Sequence, residues 1–108
     1  MSDLQWDRAF ALEQAGDDEE LLQELLDLLR SSAAEDLQKI KAAAAAGDGD
    51  ALADAAHNTK GAAASLGMES LRQVASSLEQ AGRRGDLAGV DADISALAAM
   101  LAQLNDIG

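Results

Sequence analysis

Apolar residues recur every three or four positions, without interruption, along the segment between Gly16 and Gly47. This spacing places them on one face of an α-helix, which repeats about every 3.6 residues. The chain has no proline to break such a helix, and it is rich in alanine and leucine, which favour helix. The stripe consists of Leu22, Leu25, Leu26, Leu29, Ala33, Leu37, Ile40 and Ala44. A long helix is therefore predicted here, with one face that must pack against other helices.

Glycines divide the rest of the chain into further helical segments, and acidic residues or serine follow each break and cap or open the next helix. Trp6 and Phe10 share one face of a short first helix. A third helix is predicted from about residue 51 to residue 66. The predicted stops are Gly16, followed by the caps Asp17 and Asp18; Gly47, followed by Asp50 or Asp48 as cap; Gly67, after which Ser70 or Glu69 opens the fourth helix; and Gly82 and Gly85, followed by Asp86 as cap.

Four long amphipathic helices joined by short turns predict an all-α fold, an antiparallel up-down four-helix bundle with a short additional N-terminal helix. Residues 1–108 are expected to form a single domain. No apolar run approaches the roughly 20 residues of a membrane span, and the first residues lack the apolar core of a secretion signal. We therefore expect a cytoplasmic protein, and a monomer.

Charge and the lack of cysteine exclude several classes of function. Twenty acidic residues against eight basic ones give a net charge of −12, which disfavours nucleic acid and an anionic membrane as partners. Without cysteine there is no thiolate nucleophile, disulfide or thiolate metal site. Asp48, Asp50 and Asp54 resemble part of a calcium loop, but Leu52 occupies the third ligand position. No glycine-rich phosphate loop is present to support ATP binding.

The single histidine, His57, is predicted to face away from the core. On a helical wheel of about 100° per residue, Leu66 falls opposite His57. The buried face is predicted to contain Leu52, Ala55, Thr59, Ala62, Ala63 and Leu66. The face around His57 is predicted to contain Ala53, Lys60, Gly61 and Ala64. A core role for the imidazole is therefore disfavoured. Two alternatives remain: His57 is a surface side chain without a function, or it belongs to a functional site.

Gly61 and Lys60 favour the functional site. A glycine inside a helix costs roughly 0.5–1 kcal/mol relative to alanine, so Gly61 is expected to serve the close approach of another molecule to His57. Lys60 lies three residues after His57, within side-chain reach, and its ammonium could stabilise anionic oxygens. A neutral imidazole nitrogen is a nucleophile. Nucleophile, cation and open approach together are what a phosphoryl acceptor needs.

The segment His57-Asn58-Thr59-Lys60-Gly61 resembles the H-x-x-K-G motif of histidine-containing phosphotransfer (HPt) domains. The similarity extends over most of the chain: "GDDEELLQELLDLL" resembles the second helix of the family, and "LEQAGRRGDL" the segment after the fourth. Thr59 departs from the motif, since many members carry a larger aliphatic residue there. The departure is expected to loosen packing without touching the chemistry.

The resemblance implies a phosphorelay intermediate of two-component signalling, a phosphocarrier without kinase activity of its own. His57 would accept a phosphoryl group on Nε2 from a receiver-domain aspartate and pass it to another receiver, or back to the receiver of a hybrid histidine kinase. Lys60 would stabilise the phosphoryl group, and Gly61 would give steric clearance. The partners implied are response-regulator receiver domains and a hybrid histidine kinase. No cofactor and no metal are expected in this chain, since Mg²⁺ would sit with the receiver's acids.

Counting residues from the predicted turns places Lys41 near the level of His57 on the preceding helix, and residues 76–80 alongside it on the following one. Glu79 or Gln80 could then accept a hydrogen bond from Nδ1–H of the imidazole, which would keep Nε2 free. Arg83 is either part of a docking rim or a solvated charge at a helix end. The residues predicted to dock a partner are Ala53, Ala64, Glu79, Gln80 and Arg83.

Two other interpretations remain open at this stage. A non-catalytic helical adaptor would bind a receiver or a partner helix without phosphotransfer. The bundle could also be a module excised from a larger kinase, although the initial Met1 and the compact start favour an independent protein. Labelling of His57 by a phosphorylated receiver separates the adaptor from the phosphocarrier.

Overall fold

The computed structural model describes residues 4–107, which form five α-helices and no strand. Their bounds are α1 Arg8–Gln14, α2 Glu19–Ala46, α3 Gly49–Ser65, α4 Glu69–Arg84 and α5 Val90–Asn105. The four long helices form a ring in which α2 packs on α3, α3 on α4, α4 on α5, and α5 again on α2. The predicted all-α four-helix bundle with a short additional helix is confirmed. Met1, with the other residues before Leu4, and Gly108 lie outside the described residues.

The apolar stripe of α2 faces the core as the periodicity predicts, with Leu25 and Ala44 half-buried and the rest buried, and leucines from the other helices close the core around it. The side chains with less than 2 % exposure include Leu22, Leu26, Ile40, Leu52, Met68, Leu71, Leu78, Leu97 and Leu104. Three large apolar side chains stay at the surface on α1 and α2, namely Phe10, Leu21 and Leu28. No helix among the described residues is long and apolar enough to cross a membrane.

Acidic caps and left-handed glycines set the ends of α2 and the start of α3. Asp18 accepts hydrogen bonds from the backbone N–H groups of Glu20 and Leu21, which satisfies donors that the first turn of α2 leaves free. Gly47 ends α2 at φ 69°, a conformation that glycine adopts without strain. Asp48 then caps α3 by accepting from the N–H of Ala51. These boundaries agree closely with the predicted ones.

Two predicted boundaries are wrong. Helix α4 continues through Gly82 to Arg84 and ends at Gly85, with φ 68°. Asp86 caps no helix; its backbone N–H donates to the carbonyl of Ala81, 3.0 Å away, and so closes the end of α4. The last helix begins only at Val90, after Gly89.

Gly82 serves helix packing because α3 and α4 cross closely at this point. A methyl group on Gly82 would lie 2.5 Å from the carbonyl oxygen of Gly49 and 2.9 Å from the Cβ of Ala53. Since Gly49 begins α3 and Gly82 lies near the end of α4, this contact also shows that the two helices run antiparallel.

The N-terminal segment binds the opposite end of the bundle. Trp6 precedes α1, where the sequence had placed it in the first helix, and its indole N–H donates to the carbonyl of Leu66 at 2.8 Å. The backbone N–H of Asp7 donates to the carbonyl of Gly67 at 3.0 Å. These bonds fix the turn between α3 and α4, and with it the register of the two helices that carry the site below.

Candidate functional site

His57 lies near the middle of α3 with 63 % of its side chain exposed. Its Nδ1 is 2.9 Å from Oε2 of Glu79, which reaches it from α4. A carboxylate can only accept a hydrogen bond, so Nδ1 carries the proton and donates it. The other ring nitrogen, Nε2, makes no hydrogen bond to any residue between Leu4 and Ile107. The imidazole is thus oriented with its nucleophilic lone pair on Nε2.

Glu79 also holds Lys60. The ammonium nitrogen of Lys60 is 2.6 Å from Oε1 of Glu79, while Oε2 of the same carboxylate accepts from His57. Lys60 lowers the pKa of Glu79 through this hydrogen bond; burial of the carboxylate opposes the effect, and the hydrogen bond from His57 adds to it. Glu79 is therefore a carboxylate at neutral pH, and it fixes both other side chains.

The contact between Arg83 and Asp54 continues this cluster towards the start of α3. One guanidinium nitrogen of Arg83 lies 3.1 Å from Oδ1 of Asp54 and 3.9 Å from Oε2 of Glu79. Arg83 and Asp54 are both substantially exposed, whereas only 14 % of the Glu79 side chain is. Carboxylates and cations alternate along the order Asp54, Arg83, Glu79, Lys60.

Gly61 and Ala64 are exposed, on the same side of α3 as His57. A methyl group on Gly61 would meet no atom of residues 4–107 within 4 Å, so packing within this part of the chain does not require a glycine there. Between α2 and α3, a groove of about 690 Å³ reaches His57, and it is lined by five alanines together with polar and charged side chains, Lys39 and Asn58 among them. On the side of Gly61 and Ala64, the surface beside His57 carries no side chain larger than a methyl group.

The remaining predicted docking residues have different surroundings. The prediction that Ala53 is exposed beside His57 is wrong. Ala53 is fully buried, because Gly82 of α4 packs directly against it. Gln80 is exposed, but its amide donates to Ser76 on its own helix, and Glu79 is the residue that reaches His57. Lys41, predicted to lie near the level of His57, borders Leu87 and Val90 on the side of α2 that faces α5.

A buried carboxylate below His57 was not predicted. Asp36 of α2 is 2 % exposed and accepts hydrogen bonds from Asn58 Nδ2 at 3.1 Å and from Thr59 Oγ1 at 2.9 Å. Thr59 is fully buried, so its departure from the motif is matched by a partner on α2. The sequence contained a signal for this pair, because Asp36 lies three residues after Ala33 and four before Ile40, on the same helix face as the apolar stripe.

These contacts tie α2 to α3 at the two residues that follow His57. A buried carboxylate needs such donors, and both come from α3. Among the described residues, no three His, Cys, Asp or Glu side chains are placed to hold a metal ion. The absence of a metal and of a cofactor stays a prediction.

Comparison with known proteins gives the same architecture and a family. The family model described as "Hpt domain" matches residues 24–107. The structure of histidine-containing phosphotransfer protein B from Pseudomonas aeruginosa PAO1 is similar, with a TM-score of 0.86 and 29% identity over 94% of this chain and 88% of that one. The HPT domain of a sensor hybrid histidine kinase from Shewanella has the same fold, with a TM-score of 0.78 and 22% identity over 94% and 87% of the two chains. No curated protein sequence matches the chain.

Proposed function

Because the chain belongs to the Hpt domain family, we propose that it is a phosphorelay intermediate of two-component signalling with His57 as its phosphoacceptor. HPt domains are phosphocarriers and not kinases. The single observation that carries the proposal is the imidazole of His57, exposed at the surface and held through Nδ1 by Glu79, with Nε2 left free.

The transfer begins when the lone pair of His57 Nε2 attacks the phosphorus of an aspartyl phosphate on a receiver domain. The bond between phosphorus and the aspartate oxygen breaks, and its electron pair returns to the receiver's carboxylate. His57 keeps its proton on Nδ1, so the ring becomes a cation. Glu79 accepts that proton's hydrogen bond and stabilises the cation at 2.9 Å. In the onward step a carboxylate oxygen of the next receiver attacks phosphorus, and the electron pair of the P–N bond returns to Nε2.

Lys60 and Gly61 act on the incoming group in different ways. Lys60 lies one helical turn from His57, and its ammonium can stabilise the phosphoryl oxygens. Gly61 and Ala64 leave room for the receiver, whose own reacting carboxylate must come within bonding distance of the phosphorus. Phosphoryl transfer depends mostly on such positioning and charge, because the protein contributes little covalent chemistry beyond the nucleophile.

The experiment is transfer from a receiver domain that has been phosphorylated with acetyl phosphate. We expect the wild-type protein to gain an acid-labile phosphate and His57→Gln to gain none. Circular dichroism checks that the variant is folded, as it should be with His57 mostly exposed. Labelling of His57→Gln at the wild-type rate would refute the proposal. Binding of the receiver without any label would identify the chain as a non-catalytic adaptor.

A further inference from the structure

Lys60 is already paired with a carboxylate in the phosphate-free structure. Its ammonium lies 2.6 Å from Glu79, and that carboxylate is also the hydrogen-bond acceptor of His57. To neutralise a phosphoryl group on Nε2, Lys60 must move at least part of its charge away from Glu79. Glu79 is largely buried, with 14 % of its side chain exposed, so water alone would compensate its charge poorly. An uncompensated carboxylate there would repel the phosphoryl oxygens.

Arg83 is placed to take over. It lies one turn after Glu79 on α4, and its guanidinium is 3.9 Å from Oε2 of Glu79, just beyond hydrogen-bond distance. It is held at that distance by Asp54, whose oxygen is 3.1 Å away. The guanidinium has several N–H donors arranged in a plane, so it can contact two carboxylates together and move its hydrogen bonds from one to the other. Asp54 is 73 % exposed, so water can replace Arg83 there at little cost.

We propose that Arg83 is a positioning residue that acts through Glu79: when a phosphoryl group arrives on His57, Arg83 moves from Asp54 onto Glu79 and releases Lys60 to the phosphoryl oxygens. The inference rests on the proposed function, and it names two residues, Arg83 and Asp54, that touch neither Nε2 nor the phosphoryl group. Arg83 keeps Glu79 neutralised, and Asp54 holds Arg83 in reserve. Removing the charge of Arg83 should therefore slow the phosphorylation of His57, and removing the charge of Asp54 should accelerate it.

The test uses phosphoramidate, a small donor that needs no receiver surface. His57 Nε2 attacks its phosphorus, the P–N bond of the donor breaks, and ammonia leaves with the electron pair. The quantity measured is the second-order rate constant for labelling of His57. We expect Arg83→Gln to lower it about two- to fivefold, the range of a partly exposed ion pair, and Arg83→Lys to restore most of it. Arg84→Gln, which removes the same charge one residue later, should leave the rate unchanged.

Substitutions at Asp54 and Glu79 test the direction of the exchange. Asp54→Asn should raise the rate constant, and should do so more than Asp50→Asn, which removes the same charge one turn earlier on α3. In a Glu79→Gln background, Arg83→Gln should have no further effect, because the carboxylate that it neutralises is gone.

Two results would overturn the proposal while leaving the phosphoacceptor role of His57 intact. One is equal labelling rates for Arg83→Gln and Arg84→Gln. The other is slowing by Asp54→Asn, the outcome expected if the Arg83–Asp54 pair only braces α3 against α4. If wild-type His57 is not labelled by phosphoramidate or by a receiver, the proposed function itself fails. The two failures are therefore distinguishable.

Discussion

Two glycines inside helices, Gly61 and Gly82, should respond to alanine in opposite ways. A methyl group on Gly61 would meet none of the described atoms within 4 Å, so Gly61→Ala gains the helix preference of alanine, about 0.5–1 kcal/mol, without a clash. For 108 residues, an unfolding entropy of roughly 2.1 cal/mol/K per residue converts this to a rise in Tm of about 2–4 °C. A methyl group on Gly82 would lie 2.5 Å from a backbone oxygen, and overpacking of this kind costs about 1–3 kcal/mol. Gly82→Ala should therefore lower Tm.

The functional half of this prediction uses Gly61→Gln, which adds a long side chain on the exposed face beside His57. Transfer from a phosphorylated receiver should slow at least tenfold, since a rise of about 1.4 kcal/mol in the activation free energy is enough for that. Labelling by phosphoramidate should change little, because the small donor needs less room. Ala102→Gln, at an exposed position on α5, is the control for a surface glutamine.

Thermal melts and the two labelling assays together decide whether Gly61 provides clearance. A lower Tm for Gly61→Ala would show that the fold needs the glycine, so that clearance is not its role. Equal slowing of labelling by both donors in Gly61→Gln would also exclude clearance, since the loss would then not depend on the size of the approaching molecule.

The other predictions concern the carboxylates around the site and the helix ends. Thr59→Val should lower the free energy of unfolding by about 1–3 kcal/mol in urea titrations, because buried Asp36 loses a hydrogen bond; an unchanged value would mean that water replaces it. The pKa of Glu79 is lowered in the folded state, chiefly by the hydrogen bond from Lys60. Glu79 therefore stabilises the fold above its unfolded pKa, and this contribution is lost as pH falls below about 4.5. Urea titrations from pH 7 to pH 3 should show that Glu79→Gln lacks this part of the pH dependence. Asp48→Ala should cost about 1 kcal/mol as a lost N-cap, and Asp86→Ala should cost much less, which urea titration of the two variants compares directly.

Local sequence patterns predict most of the helices because each pattern has one physical reading. Apolar residues spaced three and four apart along α2 must share one face of a helix, and that face packs into the observed core. Gly47 adopts the left-handed backbone that ends a helix, and the aspartates that follow Gly16 and Gly47 accept hydrogen bonds from the next first turn. Such information is contained within a few residues of each boundary.

The errors occur where a residue's role depends on a distant helix. The local sequence around Gly82 predicts a helix stop, yet Gly82 lies inside α4. Its lack of a side chain allows the close contact with Gly49, more than thirty residues earlier. Ala53 reads on a helical wheel as exposed with His57, yet α4 covers it. A wheel shows which side of a helix is apolar, but not how many neighbours the helix has.

The site shows the same division. The sequence supplied His57, Lys60 and Gly61 as a motif, and counting from the turns placed Glu79 or Gln80 beside the imidazole; the structure has Glu79 there. The Asp36–Thr59 hydrogen bond was missed, although a charged residue in the apolar stripe was a visible signal. The ion pair between Arg83 and Asp54 had no such signal, because both residues look like ordinary surface charges.

The most direct test of the account is the position of the phosphate on the histidine ring. Wild-type protein labelled by a phosphorylated receiver can be studied under alkaline conditions by ³¹P and ¹⁵N NMR, which distinguish Nε2 from Nδ1. With Nδ1 bound to Glu79 at 2.9 Å, we expect phosphate on Nε2 of His57 alone. Phosphate on Nδ1, or on any residue other than His57, would rule out the proposed mechanism.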